Sequence, residues 1–183
     1  MPYSTEWLLE ELAQDQRVKY LLFWGHQPNK DGSITKACLS QWWEADFVAA
    51  GVTYRSTEHW MMAEKARLFG DDAALAKILA ARSPAEAKKL GREIAAFVPE
   101  VWESHKVEIV KAGNLHKFRQ HKNLAQFLMA TNDRVLVEAS PVDTIWGIGL
   151  AADSPDAEKP ERWLGPNLLG FALMDVRDQL RNA

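Results

Sequence analysis

The sequence predicts a helix-rich α+β fold with a few short strands, organised as one domain over residues 1–183. Three observations carry that expectation. Capping residues followed by apolar positions at helical spacing recur along the chain. Only three short stretches read as strand. Hydrophobic residues make up 47% of the 183, enough for one substantial core, and neither a repeat nor an interdomain linker is visible.

Thr5 to Gln16 is expected as a helix, with Thr5 as cap and Trp7, Leu8, Leu9 and Leu12 as its stripe. Val18 to Trp24, apolar with β-branched and aromatic members, reads as a strand, and His26 to Ser33 as a loop. Phe47 to Arg55 predicts a hairpin turning near Ala50-Gly51. Ser56 or Thr57 then caps a helix to about Phe69, ended by Gly70. Asp71-Asp72 opens the next, through Ala80. Ser83-Pro84-Ala85-Glu86 is a capping box that starts a helix to about Ala95. Pro99 introduces another, from about Glu100 to Lys111 or His116, and Asn123 to Met129 a further one. Arg134 to Glu138 alternates as a strand does. Ser140 to Pro166 is loop-rich, with Ala151 to Glu161 polar enough for a mobile surface segment. Asn167 caps a last amphipathic helix bearing Leu168, Leu169, Leu173, Val176 and Leu180.

Composition narrows the function. A net charge of −3 offers no broad cationic field for non-specific nucleic-acid binding. The single cysteine, Cys38, can form neither an internal disulfide nor a cysteine-based zinc cluster. The opening residues lack a secretory signal, and no apolar run approaches the roughly 20 residues of a membrane span. A cytoplasmic protein without membrane partners is expected. The five histidines show no metal-ligand spacing, and there is no GxSxG or phosphate-binding loop, so neither metal nor cofactor is called for. Eight tryptophans stand out, suited equally to core packing and to pockets for planar ligands.

Three segments carry candidate chemistry. In Tyr54 to Phe69, Glu58 and Lys65 lie almost on one line along the helix, in the middle of an apolar face, with Glu64 and Arg67 opposite. A carboxylate and an amine there form either a buried ion-pair network or two groups aimed into one pocket. In Glu138 to Gly149, Asp143 and Trp146 sit beside Gly147 and Gly149, which let backbone approach a ligand. They read as a turn aspartate and a core tryptophan, or as a ribose contact and a base-stacking ring. In Gly165 to Arg177, Asn167 is a helix cap or a ligand contact, and Gly170 allows close helix packing. Arg92 and Lys117 are either phosphate binders or solvated helix charges.

Together these segments resemble the NADAR (YbiA-like) family from about Phe23 to Leu180. The matching pieces are Phe23-Trp24-Gly25, Leu39 to Trp43, Tyr54-x-Ser-Thr-Glu-His59, Ala63 to Ala66, Leu90-Gly-Arg92, Val101-Trp102, Lys117-Phe118, Val137 to Ser140, Asp143-x-x-Trp-Gly-Ile-Gly149 and Asn167-x-x-Gly-x-x-Leu-Met174. One departure is Ser40-Gln41-Trp42, where many members have Ser-Asn followed by an aromatic. The resemblance implies a YbiA-like α+β fold and hydrolysis of N-glycosidic bonds. The substrates it implies are ADP-ribosylated guanine in nucleic acid, or small phosphoribosylamino-pyrimidine intermediates of riboflavin biosynthesis. It also implies a pocket holding Glu58, Lys65, Trp102, Asp143 and Trp146. Two chemistries remain open: water activated by Glu58 or Asp143, or attack by the Lys65 amine on an opened sugar. An ADP-ribose-binding module without turnover, or a scaffold with Glu58 and Lys65 ion-paired and no pocket, are the readings from other classes.

Overall fold

The computed structural model describes residues 2–182. In chain order the elements are α1 (Thr5–Ala13), β1 (Tyr20–Phe23), β2 (Phe47–Ala49), β3 (Val52–Tyr54), α2 (Thr57–Leu68), α3 (Asp72–Leu79), α4 (Pro84–Gly91), α5 (Pro99–Gln120), α6 (Lys122–Ala130), β4 (Val135–Glu138) and α7 (Leu168–Arg181). Short 3₁₀ turns occupy Lys36–Leu39 and Pro160–Arg162. The helix-rich α+β class expected from the sequence is what forms. Contacts divide the chain into two units: Gln41–Lys122, and the residues up to Ser40 together with those from Asn123 onward.

Within Gln41–Lys122, β2 and β3 pair antiparallel with Phe47 opposite Tyr54 and Ala49 opposite Val52. Ala50 and Gly51 both take positive φ, as the expected two-residue turn demands. Ser56 caps α2 by accepting from the His59 N–H at 3.1 Å. Around α2 pack α3, α4, α5 and β3. It buries Thr57, Glu58, His59, Met61, Met62, Ala63 and Ala66, which is most of its circumference. Two glycines permit that enclosure. A Cβ at Gly91 would lie 2.0 Å from Met62 Sδ, and one at Gly113 2.4 Å from Trp60 Cδ1. His59 is structural: its Nδ1 accepts from Arg55 N and its Nε2 donates to Ile78 O. Burial lowers its pKa, consistent with the neutral ring that pattern requires.

In the other unit, β1 and β4 pair in parallel, with Tyr20 opposite Val135 and Phe23 opposite Glu138. The long crossover that a parallel pair needs is supplied by everything between them. Helix α7 packs on β4, burying Leu169 to Met174, Val176 and Arg177. The contact is backbone against backbone, since a Cβ at Gly170 would come within 2.1 Å of Leu136 O.

Several boundaries differ from expectation, each for a local reason. Ser4, not Thr5, caps α1 by accepting from Trp7 N, and the helix ends at Ala13. Helix α4 stops at Gly91 rather than Ala95, and Ala96 then takes positive φ. Helix α5 continues to Gln120, because Gly113 and Asn114 are buried positions of a packed helix rather than terminators. In the capping box, Ser83 accepts from Glu86 N as expected, but the Glu86 carboxylate reaches back to Arg82 N. The 3₁₀ turn at Lys36–Leu39 was not expected. The polar stretch Ala151 to Glu161 has internal anchors: Ala157 is buried, and its carbonyl accepts from Trp163 Nε1. Asn167 stands at the N-cap position in the left-handed region, and its side chain does not cap α7.

The α7–β4 contact generates a stability prediction. Gly170→Ala must push the helix off the strand, because the obstructing atom is backbone. Overpacking of this kind costs about 1–3 kcal/mol, and the upper end is expected in urea denaturation. A midpoint unchanged from the parent protein would show that the helix does not lie this close to the strand.

Candidate active site

Residues Glu58 and Lys65 come from opposite ends of α2. Glu58 is only 4% exposed, and its N–H donates to Gln41 O at 2.9 Å. The Ser56 cap fixes this first turn, where the helix dipole favours a carboxylate. Lys65, in the last turn, is half-buried. Its Nζ donates to Gly91 O at 2.9 Å, and lies 4.4 Å from the centre of the Phe97 ring and 5.5 Å from that of Trp102. Burial lowers the Lys65 pKa, and the negative charge of Glu58 only partly offsets this. The two ring faces also favour the ammonium, a contact generally worth about 0.5–2 kcal/mol. Desolvation outweighs the Glu58 charge, so the neutral amine is more accessible than in a solvated lysine. Glu64 and Arg67, expected on the outer side, form an ion pair with each other.

Helix α5 faces this arrangement with an unusually polar buried stripe. Trp102, Lys106, Val110, Gly113, Asn114 and Lys117 fall on one side at about 100° per residue. Lys106 is 5% exposed and pairs with Glu103 at 2.6 Å, while Asn114 and Lys117 are fully enclosed. Lys117 therefore does not belong to a solvated helix face. Arg92 is exposed at the C-cap of α4, next to the Gly91 carbonyl that holds Lys65. Two further polar groups here, Lys106 and Asn114, were missed by sequence reasoning, and Gln41 stood out only as the departure from the family's usual asparagine. The spacing Lys106-x3-Val110-x3-Asn114-x2-Lys117 carried a signal, since polar side chains recur on a face that Val110 and Phe118 mark as buried.

Asp143, Trp146, Gly147 and Asn167 belong to the other unit. Asp143 Oδ1 accepts from Ile145 N at 2.8 Å and Trp146 N at 2.7 Å, a tight aspartate turn. Its carbonyl accepts from Gly149 N. Trp146 is partly exposed, and its carbonyl takes the Leu169 N–H. Gly147 is a packing requirement, because a Cβ there would lie 2.7 Å from Glu138 O. Asn167 is 0% exposed. Its Oδ1 accepts from Glu138 N and its Nδ2 donates to Leu136 O, so both ends of the amide complete the backbone pairing of β4. The loop that carries Asp143 and Trp146 is thereby fastened to strand and helix alike.

The structure thus brings Glu58, Lys65, Trp102, Arg92 and Lys117 onto α2, α4 and α5 of one unit, and the four remaining residues onto one loop and helix start of the other. Among the described residues, no group of three His, Cys, Asp or Glu side chains gathers as a metal ion would need. Among the same residues, no helix is long and apolar enough to cross a membrane.

Comparison with known proteins gives a consistent picture. The chain matches the NADAR domain over residues 22–181. It is 39% identical to N-glycosidase R617 of Acanthamoeba polyphaga mimivirus, an alignment covering 88% of this chain and 96% of that protein. It is 32% identical to N-glycosidase YbiA of Escherichia coli, over 71% of this chain and 72% of the relative. The NMR structure of the E. coli protein YbiA superposes with a TM-score of 0.71 at 26% identity, covering 91% of this chain and 88% of that one. The chain therefore belongs to the NADAR family, and with relatives named N-glycosidase at 32–39% identity its enzyme class is that of hydrolases acting on N-glycosyl compounds.

Proposed function

We propose that the protein hydrolyses a ribose–nitrogen bond, either releasing ADP-ribose from guanine in nucleic acid or cleaving a phosphoribosylamino-pyrimidine intermediate of riboflavin biosynthesis. The observation that carries this reading is the setting of Lys65. An amine held against two aromatic faces and a backbone carbonyl, with its pKa lowered by burial, is suited to act as a nucleophile at a lower pH than an ordinary lysine.

The chemistry follows from that amine. Opening of the ribosylamine ring leaves C1′ doubly bonded to the base nitrogen. The neutral Lys65 amine adds to C1′, and the base departs with a proton, leaving C1′ joined to Nζ as a Schiff base. Water then adds to C1′ and releases the sugar and the free amine. Glu58 passes the protons and stabilises positive charge at C1′. Asp143 has one oxygen committed to its turn, leaving Oδ2 for a ribose hydroxyl or water. Trp102 and Trp146 offer partly exposed rings for stacking on the base, and the exposed Arg92 supplies charge for phosphate, whereas the enclosed Lys117 would add its charge only from within the core. Gly147 and Asn167 contribute by holding the Asp143–Trp146 loop in shape.

Incubation with guanine-ADP-ribosylated DNA, and separately with a phosphoribosylamino-pyrimidine, tests the reading; binding without turnover would instead mark an ADP-ribose-binding module. Borohydride added during turnover should leave a stable added mass on Lys65, absent in Lys65→Ala. Lys65→Arg should be inactive, because guanidinium stays protonated. Near-normal turnover by Lys65→Arg would move the chemistry to Glu58 and Asp143 with water. The depressed pKa has a definite sign: the neutral amine grows as pH rises through it, so kcat should climb on that limb, beginning below the range of an ordinary lysine. A pH-independent kcat across that range would count against the amine.

The aromatic assignment has its own test. Trp102→Ala or Trp146→Ala should weaken substrate binding by about 1–3 kcal/mol if the ring stacks on the base. Unchanged affinity in both variants would remove stacking from the scheme.

A further inference from the structure

Two buried amides beside α2 have no part in the scheme above. Gln41 and Asn114 are 6% and 0% exposed, and share one hydrogen bond, from Asn114 Nδ2 to Gln41 Oε1 at 2.8 Å. Asn114 Nδ2 also donates to Val110 O at 2.9 Å. Gln41 Nε2 and Asn114 Oδ1 have no hydrogen-bond partner among the described residues. Leaving such groups unsatisfied in a protein interior is costly. Turning both amides over together exchanges donor for acceptor at each place and again leaves one of each. It also sets an oxygen against the Val110 carbonyl, so the orientation described is the favoured one.

A paired donor and acceptor has a specific complement. A hydroxyl accepts through a lone pair and donates its one proton, whereas a carboxylate or phosphate can only accept and an ammonium can only donate. The position of the pair matters as much. Gln41 O accepts both from Glu58 N at 2.9 Å and from Thr57 Oγ1 at 3.1 Å, which pins Gln41 to the first turn of α2. Asn114 shares the buried stripe of α5 with Trp102. Helices α2 and α5 run antiparallel here, with Trp60 bonded to Ile109 O and Lys65 beside Trp102. The amide pair therefore lies at the Glu58 end of the helix pair, and Trp102 at the Lys65 end.

We infer that Gln41 and Asn114 form a hydroxyl-reading subsite that takes one sugar hydroxyl of the substrate and makes the enzyme select ribose over a deoxyribose. The inference rests on the N-glycosidase reading. A site whose buried polar groups are matched by a substrate hydroxyl discriminates strongly against the analogue that lacks it.

The test compares kcat/KM for a ribosyl substrate with its 2′-deoxy and 3′-deoxy forms. The parent enzyme should lose about ten- to a hundredfold on one of the two. In Gln41→Met, similar in length but without the amide, that ratio should fall towards one, through lost activity on the hydroxyl-bearing substrate. Should Gln41→Met not fold, Gln41→Leu serves. A purely structural amide pair, or one satisfied only by water, would lower activity on all three substrates alike and leave the ratio intact, which overturns the inference while the glycosidase reading stands. If no substrate is turned over, the glycosidase reading fails, and the same ratio read from the Kd of ADP-ribose and its deoxy analogues decides the subsite. Absence of binding, or equal binding of all forms, overturns it.

Discussion

A helix buried on most of its circumference sets the conditions for everything else in Gln41–Lys122. Met61, Met62, Ala63 and Ala66 of α2 have no exposed side to turn towards, and Gly91 and Gly113 let α4 and α5 close on it to distances at which an added carbon would displace the Met62 or Trp60 side chain. Glu58 and Lys65 ride on that helix, Glu58 buried and Lys65 half-buried. An interior carboxylate and amine must each find compensation or lose charge. The helix N-terminus favours the charge of Glu58, while desolvation weakens that of Lys65. The packing that stabilises the fold is thus the source of the chemical bias at Lys65.

The unit built on β1 and β4 achieves rigidity by a different route. Its strand pair is only four residues long, too short to hold a loop by backbone pairing alone. Asn167 extends the pairing by offering an amide to Leu136 O and Glu138 N, and Gly147 and Gly170 let loop and helix approach the same strand. The carboxylate of Asp143 closes its own turn. Each of these residues would serve a substrate best by being immobile, and their bonds account for that immobility without a ligand. Structure and function are not rivals at such positions: an oxygen of Asp143 that builds the turn also fixes where the other oxygen points.

Much of this was legible in the sequence, and the failures share a cause. The capping residues Ser56, Asp71 and Ser83, the Ala50-Gly51 turn and the strand at Val135–Glu138 were readable because their determinants are local. The displacement of Glu58 and Lys65 from the expected polar side of an amphipathic helix was visible as a conflict between charge and pattern. What could not be read was long-range satisfaction. Asn167 looked like a cap because asparagine usually is one there, yet its partners lie 29 and 31 residues back on β4. Gln41 and Asn114 are 73 residues apart, so neither announced the other. Lys117 looked solvated because lysine on a helix generally is, and only packing shows it enclosed.

Catalysis by an amine nucleophile stands or falls on the protonation of Lys65. Its direct measure is the titration of the Lys65 Nζ by NMR in the folded protein, with Lys65→Met to assign the signal and the exposed lysines as internal reference. The prediction is a Lys65 pKa below that of the reference lysines, and a further decrease in Glu58→Gln, because removing the carboxylate removes the one charge that opposes desolvation. A Lys65 that titrates at or above the reference lysines would show that the two rings and the Gly91 carbonyl stabilise a permanent ammonium, and would contradict the role assigned to it.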